Sequence, residues 1–160
     1  MIKLVRESSN TPNVKNIDDV RMIRYAYGFN GVVKNYGNEL DAEYDEQNKV
    51  FKIKSGLIVL DGWEVHIDDN GWNLNISLLT GTQGYSIYLE VNALSETVEI
   101  KSTYNPYSST YPNIDKGDDL TKKTNGIARL LLYNLTIQDG NADRIVKKIK
   151  TIPRLHDIAL

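Results

Sequence analysis

Residues 39–67, ELDAEYDEQNKVFKIKSGLIVLDGWEVHI, decide the fold class because apolar and polar side chains alternate through much of this stretch. A side-chain period of two is typical of a β-strand with one buried and one wet face. A two-residue turn at Gln47-Asn48 would bring apolar residues opposite apolar ones and acids opposite lysines. The predicted pairs are Tyr44 with Phe51, Ala42 with Ile53, Glu43 with Lys52 and Asp41 with Lys54. A slip of one residue would break both matches, so this hairpin is closely specified.

Two more hairpin turns are predicted at Asp61-Gly62 and Asn70-Gly71, because glycine readily accepts the positive φ that tight turns need. The first turn sets Leu60 against Trp63, and the second sets Ile67 against Leu74. We therefore expect a meander in which six apolar residues share one buried face. These are Trp63, Val65, Ile67, Leu74, Ile76 and Leu78, with Glu64, His66, Asn73, Asn75 and Ser77 on the wet face.

The same alternation predicts further strands around residues 85–92 and 98–101. Residues 127–137 are apolar on both faces, which is typical of a central strand, and Asp139-Gly140-Asn141 turns the chain into a last strand around 145–149. Seven or more short strands separated by turns predict an all-β fold, an antiparallel β-sandwich. Residues 18–25 fit either a short N-terminal helix or an extended segment.

The chain is expected to form one main domain, because 160 residues can bury a single core without staples. Residues 1–15 are predicted to be a flexible N-terminal arm, residues 16–150 the β-sandwich, and residues 151–160 a C-terminal tail that projects from the fold. Pro153 interrupts ladder bonding. The apolar tail residues Leu155, Ile158 and Leu160 are candidates for docking on a partner protein or another subunit.

Tyrosine is unusually frequent, with ten residues against two Phe and two Trp. Three of them, Tyr104, Tyr107 and Tyr111, lie among Ser, Asn and Pro in a long stretch without periodicity, residues 102–126. Such a composition is typical of binding loops, in which rigid aromatic rings give contact area at low entropic cost. We expect residues 104–125 to lie outside the sandwich and to bind a partner or a glycan; the alternative is that these tyrosines pack the loop onto its own sheet.

Composition excludes several function classes. The net charge of −2 gives no electrostatic footprint for nucleic acid, and zero cysteines exclude disulfides and thiolate sites. No apolar run approaches the length of a membrane span, so membrane insertion is not expected. His66 and His156 are far apart in sequence without a ligand pattern, so no metal site and no cofactor is predicted.

Acidic residues offer the remaining candidate chemistry. The run from Glu39 to Glu46 and the cluster Asp68-Asp69-Asn70 could supply oxygen ligands to calcium, but neither matches an EF-hand. Lysines on the predicted partner strand would pair with the acids of the first run. Glu64 with Asp61 or Glu90 could supply the two carboxylates of a glycoside hydrolase. Any chain with 21 acids offers such pairs, so we predict that the protein is not an enzyme.

Several segments resemble, in sequence order, the N-terminal β-sandwich of tail and baseplate appendage proteins of siphophages that infect Gram-positive bacteria. They are residues 31–33 with 37–40, 55–63, 88–92, 118–121 before 130–133, and 145–149. The layout is similar to the shoulder domain of lactococcal phage receptor-binding proteins over about residues 25 to 150. In that family the shoulder anchors the appendage in the baseplate, and neck and head domains carry the saccharide site.

The resemblance implies a virion protein of the tail or baseplate, made in the host cytoplasm and assembled with other tail proteins. Because the chain ends at Leu160 without counterparts of the neck and head, assembly at the tail tip is the first expectation. The alternative is a saccharide-binding module that recognises the host cell surface. A homo-oligomer and a host-surface glycan are further candidate partners.

Overall fold

The computed structural model describes residues 2–4, 30–77, 79–121 and 126–153, and every regular element in them is a β-strand. This confirms the all-β fold class. The segment around residues 18–25, for which a short helix was one prediction, lies outside the described residues. The strands are β1 (Ile2–Leu4), β2 (Gly31–Val33), β3 (Ala42–Asp45), β4 (Val50–Ile53), β5 (Gly56–Leu60), β6 (Trp63–Ile67), β7 (Trp72–Asn75), β8 (Thr82–Asn92), β9 (Thr97–Pro106), β10 (Ile127–Gln138), β11 (Asn141–Lys147) and β12 (Thr151–Ile152).

The strands form three sheets. The first sheet has the order β1-β6-β5-β2-β12, the second β11-β10-β8-β9 and the third β3-β4-β7. All neighbouring strands are antiparallel except β2 and β12, which are parallel. β10 lies between β11 and β8, which confirms its predicted central position.

Side chains from all three sheets meet in one buried cluster, so the packing is sandwich-like. A smaller buried cluster, separate from it, consists of Val33, Leu57, Val59 and Ile152 of the first sheet. Ile58 and Val65 of the first sheet are fully buried in the cluster that the three sheets share. Phe51 of the third sheet packs edge-on against Tyr133 of the second, with ring centroids 5.4 Å apart. The Tyr133 hydroxyl donates a hydrogen bond to the carbonyl oxygen of Leu40 at 2.7 Å, and burial raises the pKa of this phenol.

The hairpin of β3 and β4 has the predicted register, with Tyr44 opposite Phe51 and Ala42 opposite Ile53. The turn itself spans four residues, 46–49, and Asp45 holds it: its carboxylate accepts backbone hydrogen bonds from Gln47 at 3.1 Å and Asn48 at 3.0 Å. Hydrogen bonds from the Asn48 side chain and backbone lower the pKa of Asp45 to about 2. The alternating pattern therefore predicted the strand pairing, and the turn is stabilised by hydrogen bonds to the Asp45 carboxylate.

The turns at residues 61–62 and 70–71 differ in backbone conformation. Asp61 and Gly62 both have positive φ, 50° and 84°, as a two-residue hairpin turn requires, and Leu60 pairs with Trp63 as predicted. At the second turn Gly71 has positive φ but Asn70 does not, and the Gly71 amide donates to the Asp68 carbonyl at 2.9 Å. The chain therefore leaves the first sheet here instead of folding back on β6.

The predicted meander of β6 and β7 is consequently wrong. β6 pairs with β1 and β5, whereas β7 pairs with β4 in the third sheet. Trp63, Val65 and Ile67 are buried as expected, and Ile76 and the half-buried Leu74 join the same core from another sheet. Leu78 lies outside the described residues. The hydrophobic pattern identified core residues correctly but could not say across which layer they meet.

Both ends of the described chain are tied into the first sheet. Residues 2–4 of the predicted N-terminal arm pair with β6 as β1, and residues 5–29 lie outside the described residues. The predicted projecting tail begins with a strand instead: Thr151 and Ile152 pair with β2, and Ile152 is fully buried against Val33 and Val59. Pro153 follows this strand and does not interrupt it, so the expectation that residues 151 and 152 project is wrong.

Candidate functional site

The three loop tyrosines predicted to bind a partner occupy three different environments. Tyr104 belongs to β9, which continues to Pro106, and its ring packs against the buried Tyr85 at a centroid distance of 5.1 Å. Tyr107 is 82% exposed just beyond the strand. The half-buried Tyr111 shares a 2.7 Å hydrogen bond between its hydroxyl and that of Thr136. The predicted excursion therefore begins at residue 107, not at 104, because Pro106 lies on an edge strand that tolerates it.

The segment after Tyr107 crosses the outer face of the second sheet. The hydroxyl of Ser86 donates to the carbonyl of Pro112 at 2.7 Å, and the Asn105 side chain donates to the carbonyl of Thr110 at 3.1 Å. Gly84 makes room for this crossing: a Cβ there would lie 2.0 Å from the Thr110 carbonyl oxygen. Part of the loop therefore packs on its own sheet, the alternative reading of its tyrosines.

The next part of the segment is fastened to the start of β10. The amide of Arg129 donates to the carbonyl of Lys116 at 2.8 Å, and Gly117 forms an isolated bridge with Ala128. The amide of Leu120 donates to the buried carboxylate of Asp61 at 3.2 Å. These bonds fix residues 107–121 at several points, so the loop has a defined course.

An open cleft lies between this loop, the outer face of β10 and residues 148–150. Its volume is about 930 Å³. We call it the loop cleft. Its lining includes Tyr111, Asn113, Asp118, Arg129 and Lys148. Of the predicted binding tyrosines, only Tyr111 lines it.

Asp61 braces one wall of the loop cleft. Its side chain accepts a 3.3 Å hydrogen bond from the Asn30 amide group, and the Asn30 side-chain oxygen accepts the Asp61 backbone N–H at 2.7 Å. Together with the bond from Leu120, these contacts satisfy a carboxylate that is only 8% exposed. Asp61 therefore acts as a structural acceptor in this arrangement, a use that differs from the glycosidase role considered from sequence.

Glu90, another carboxylate considered for a glycosidase pair, belongs to a charge ladder on the outer face of the second sheet. Its carboxylate contacts Lys101 at 2.6 Å and Arg129 at 2.8 Å. Burial alone would raise the pKa of Glu90, but the hydrogen bonds from these two cations lower it by more, so the pKa lies below its ordinary value. A general acid would need the opposite shift. In the described part of the chain, no group of three or more His, Cys, Asp or Glu residues is placed to hold a metal ion.

A second surface feature lies at the end of the second sheet where β9 and β10 finish. Tyr107 is held next to Gly81, and the half-exposed Leu79 lies beside Gly140. Asp139 ties these loops together: its amide donates to the Gly81 carbonyl at 2.9 Å, and its carboxylate accepts the Gly81 amide at 2.8 Å. We call Leu79, Gly81 and Tyr107 the end patch.

Other predicted site residues are not placed. The docking candidates Leu155, Ile158 and Leu160 lie outside the described residues. The sequence analysis did not single out Asn113 or Asp118, although both lie in the stretch 104–125 that it predicted to bind, and it did not consider Lys148. Only the course of the loop brings these three residues to one cleft. No helix in the described ranges is long and apolar enough to cross a bilayer.

No protein-family model matches this chain, and no curated protein sequence matches it. Among solved structures, the gene 22 product of the Bacillus subtilis SPP1 phage is similar to it, with a TM-score of 0.43 and 11% sequence identity. The similar region covers 74% of this chain and 84% of that chain. A TM-score at this level does not establish a common fold.

Proposed function

We propose that this chain is a non-enzymatic structural protein of a bacteriophage tail or baseplate, where it mediates assembly at the tail tip. It would be made in the host cytoplasm and incorporated into the virion through contacts with other tail proteins. The support comes first from the sequence resemblance to the shoulder domain of siphophage appendages. Residues 55–63 and 130–133, which carry part of it, form a buried strand with its hairpin turn and the middle of the central strand β10.

The observation that carries the assembly role is the exposure of Tyr107. A tyrosine with 82% of its surface in solvent has a positive φ of 52°, a conformation that non-glycine residues adopt at a cost. Its neighbours hold it there, since the Ser108 amide donates to the Thr82 carbonyl at 3.0 Å. An exposed tyrosine whose neighbouring backbone is held by a hydrogen bond is the kind of residue that is enriched at protein interfaces.

The charges near the end patch suit a protein partner better than a polyanion. Asp139 borders the patch through its hydrogen bond with Gly81, and Lys49 approaches Gly140 beside it. Aromatic and apolar residues with a polar rim of both signs are typical of protein interfaces. The partner in this proposal is another tail or baseplate protein, and a homo-oligomer through the same patch is the alternative outcome.

The test is incorporation into particles. Mass spectrometry of purified virions should detect the wild-type protein, and the Tyr107→Ser variant should be incorporated at a reduced level with unchanged solution stability. Leu94→Ser is the matched control, because Leu94 is 77% exposed at the opposite end of β9. A protein that is abundant in the lysate but absent from particles would overturn the proposal; equal loss with both variants would overturn the role of the end patch.

A further inference from the structure

β9 is a long, regular strand at the edge of the second sheet, and in the described ranges it pairs only with β8. This pairing runs from Thr97 to Pro106 without a register shift, whereas the other edge strand, β11, has a shift opposite Thr136 and Ile137. Bulges of that kind protect a sheet edge from other strands, and β9 has no such protection in this pairing. β1 lies near β9 but is bonded to β6 in the first sheet, so it does not complete the edge.

The hydrogen-bond pattern shows which backbone groups of β9 point to its free edge. The Ala93 amide donates to the Gly126 carbonyl at 3.1 Å, in register with the β8–β10 pairs, so the backbone of Ala93 points to β10. Because the direction alternates along a strand, the backbone of Glu90, an odd number of residues earlier, points the other way, to β9. Glu90 lies opposite Glu99, which therefore bonds to β8. The amides and carbonyls that face the free edge belong to Val98, Ile100 and Ser102.

The sequence of β9 is complementary to itself when two copies run antiparallel about Ile100. Glu99 of one copy then lies opposite Lys101 of the other, and Thr97 lies opposite Thr103. Opposite charges and paired threonines are both favourable across strands, and these pairs are of the kind without direct hydrogen bonds, in which side chains approach closely. Moving the centre by one residue places Glu99 against Glu99 or Lys101 against Lys101. The charges therefore select one register.

The two charged side chains are accessible for this contact. The Lys101 ammonium lies 2.6 Å from Glu90 and 3.4 Å from Glu99 of the same chain, and the Lys101 and Glu99 side chains are 41% and 61% exposed. Exposed ion pairs are weak, so exchanging the internal Glu99 contact for one with a second copy costs little. An ammonium group has three donors, which lets Lys101 keep Glu90 while it binds Glu99 of the second copy.

We infer that two copies of this chain associate through antiparallel pairing of their β9 edges, centred on Ile100, which joins two four-stranded sheets into one. The same surface is used by both copies, so a twofold axis relates them and the association stops at a dimer. The outward backbone groups of Val98, Ile100 and Ser102 supply the hydrogen bonds, as in other strand additions to a sheet edge. The paired residues, 97–103, include no residue of the end patch. The inference therefore does not depend on the assembly role, and either can fail alone.

The first experiment is sedimentation velocity of the full chain from about 10 µM to 1 mM. Because the contact is confined to one strand, we expect a reversible dimer with a dissociation constant of about 10–500 µM. Ser102→Pro removes one outward N–H, a change that edge strands tolerate, and should weaken the dimer by about tenfold or more. Ser102→Ala is the matched control, because it keeps the N–H and should dimerise like the wild type. Ser102 is exposed, so both variants should fold, and thermal unfolding checks this.

Two results of this experiment would overturn the inference. One is a wild type that stays monomeric at every concentration, and the other is a Ser102→Pro variant that dimerises as well as Ser102→Ala. If the wild type is monomeric in solution but its β9 amides are protected from hydrogen exchange in purified particles, the edge belongs to another protein and self-pairing is wrong.

Cysteine cross-linking tests the register, since the chain has no cysteine of its own. A Glu99→Cys chain paired with a Lys101→Cys chain brings the two sulfur atoms opposite each other, whereas two copies of either variant do not. The second Lys101–Glu99 pair stays intact in this mixed dimer. Under mild oxidation the mixture should give the mixed disulfide in excess of either homodimer. An excess of homodimers, or no cross-link where the wild type dimerises, would overturn the inference, and this result decides it if Ser102→Pro fails to fold.

Discussion

Replacing Gly84 with alanine should loosen the loop that crosses the second sheet. Gly84 lies buried within β8, and an added Cβ would lie 2.0 Å from the Thr110 carbonyl oxygen and 3.3 Å from the Tyr111 ring. The added Cβ would clash with the backbone of the loop, and Gly84 itself lies in β8, an interior strand of the second sheet. The loop is therefore the part that must move. Three hydrogen bonds depend on its position: Ser86 to Pro112, Tyr111 with Thr136, and Asn105 to Thr110.

The magnitude follows from these bonds. A typical intramolecular hydrogen bond contributes about 0.5–1.5 kcal/mol, so loss of all three costs about 1.5–4.5 kcal/mol. Alanine recovers about 0.4–1 kcal/mol by restricting the unfolded chain. The net destabilisation should be about 0.5–4 kcal/mol, measured from the midpoint of urea unfolding at constant slope.

Hydrogen exchange locates the effect. The amides of Ser108 and Thr110, which donate to Thr82 and Ser108, should lose protection in Gly84→Ala, while those of β5 and β6 keep theirs relative to global unfolding. Ser86→Ala is the graded control, because it removes one anchor without adding volume and should cost about 1 kcal/mol. A Gly84→Ala variant as stable as the wild type would refute the reasoning, since the loop would then not be seated on the sheet as described.

Three further outcomes are expected. Trp63→Ala should destabilise the protein by about 3–5 kcal/mol in the same unfolding assay, because Trp63 is 5% exposed in the core; a loss below 1 kcal/mol would contradict that burial. Glu90→Gln should make the free energy of unfolding less dependent on pH in the acid range. Because the pKa of Glu90 is lowered in the folded protein, its stabilising contribution is present above its ordinary pKa of 4.5 and is lost as the pH falls through the folded value. A wild type with an equally weak pH dependence would refute the role of its pairs with Lys101 and Arg129. Tyr107→Ser should change stability by less than about 0.5 kcal/mol because the ring is exposed, and cooperative loss of structure would show that it packs.

Local patterns predicted much of the fold because strand pairing between neighbours in sequence leaves a period-two signal. The register of Tyr44 with Phe51 follows from matching faces, and the turn at Asp61-Gly62 follows from two residues that accept positive φ. The central place of β10 follows from apolar residues on both faces. These features depend on residues close together in the chain.

Pairings between distant residues left no such signal. Asn70-Gly71 has the same composition as a hairpin turn, but only Gly71 adopts positive φ, and the chain passes to another sheet. Leu40 continues the alternation of Ala42 and Tyr44 in the sequence, yet it has a φ of 60° and lies outside β3. The Tyr133 hydroxyl donates a hydrogen bond to its carbonyl oxygen. Such contacts depend on what the core presents from elsewhere.

The candidate site was the least predictable part for the same reason. The sequence singled out tyrosines by their frequency, but exposure separates Tyr107 from the stacked Tyr104. Asn113 and Lys148 become neighbours of one cleft through the course of an irregular loop, and composition carries no information on that course.

The parallel pair of β2 and β12 has a consequence for how the protein folds. The Val32 amide donates to the Lys150 carbonyl at 2.8 Å, and the Lys34 amide donates to the Ile152 carbonyl at 2.7 Å. β2 therefore cannot complete its pairing until the residues at the end of the described chain are in place. Closing so long a loop costs entropy before any contact repays it, which slows folding. During synthesis one edge of β2 stays open until residue 152 has left the ribosome. An unpaired edge is a template for wrong pairing, so the open edge of β2 is an aggregation hazard in that interval.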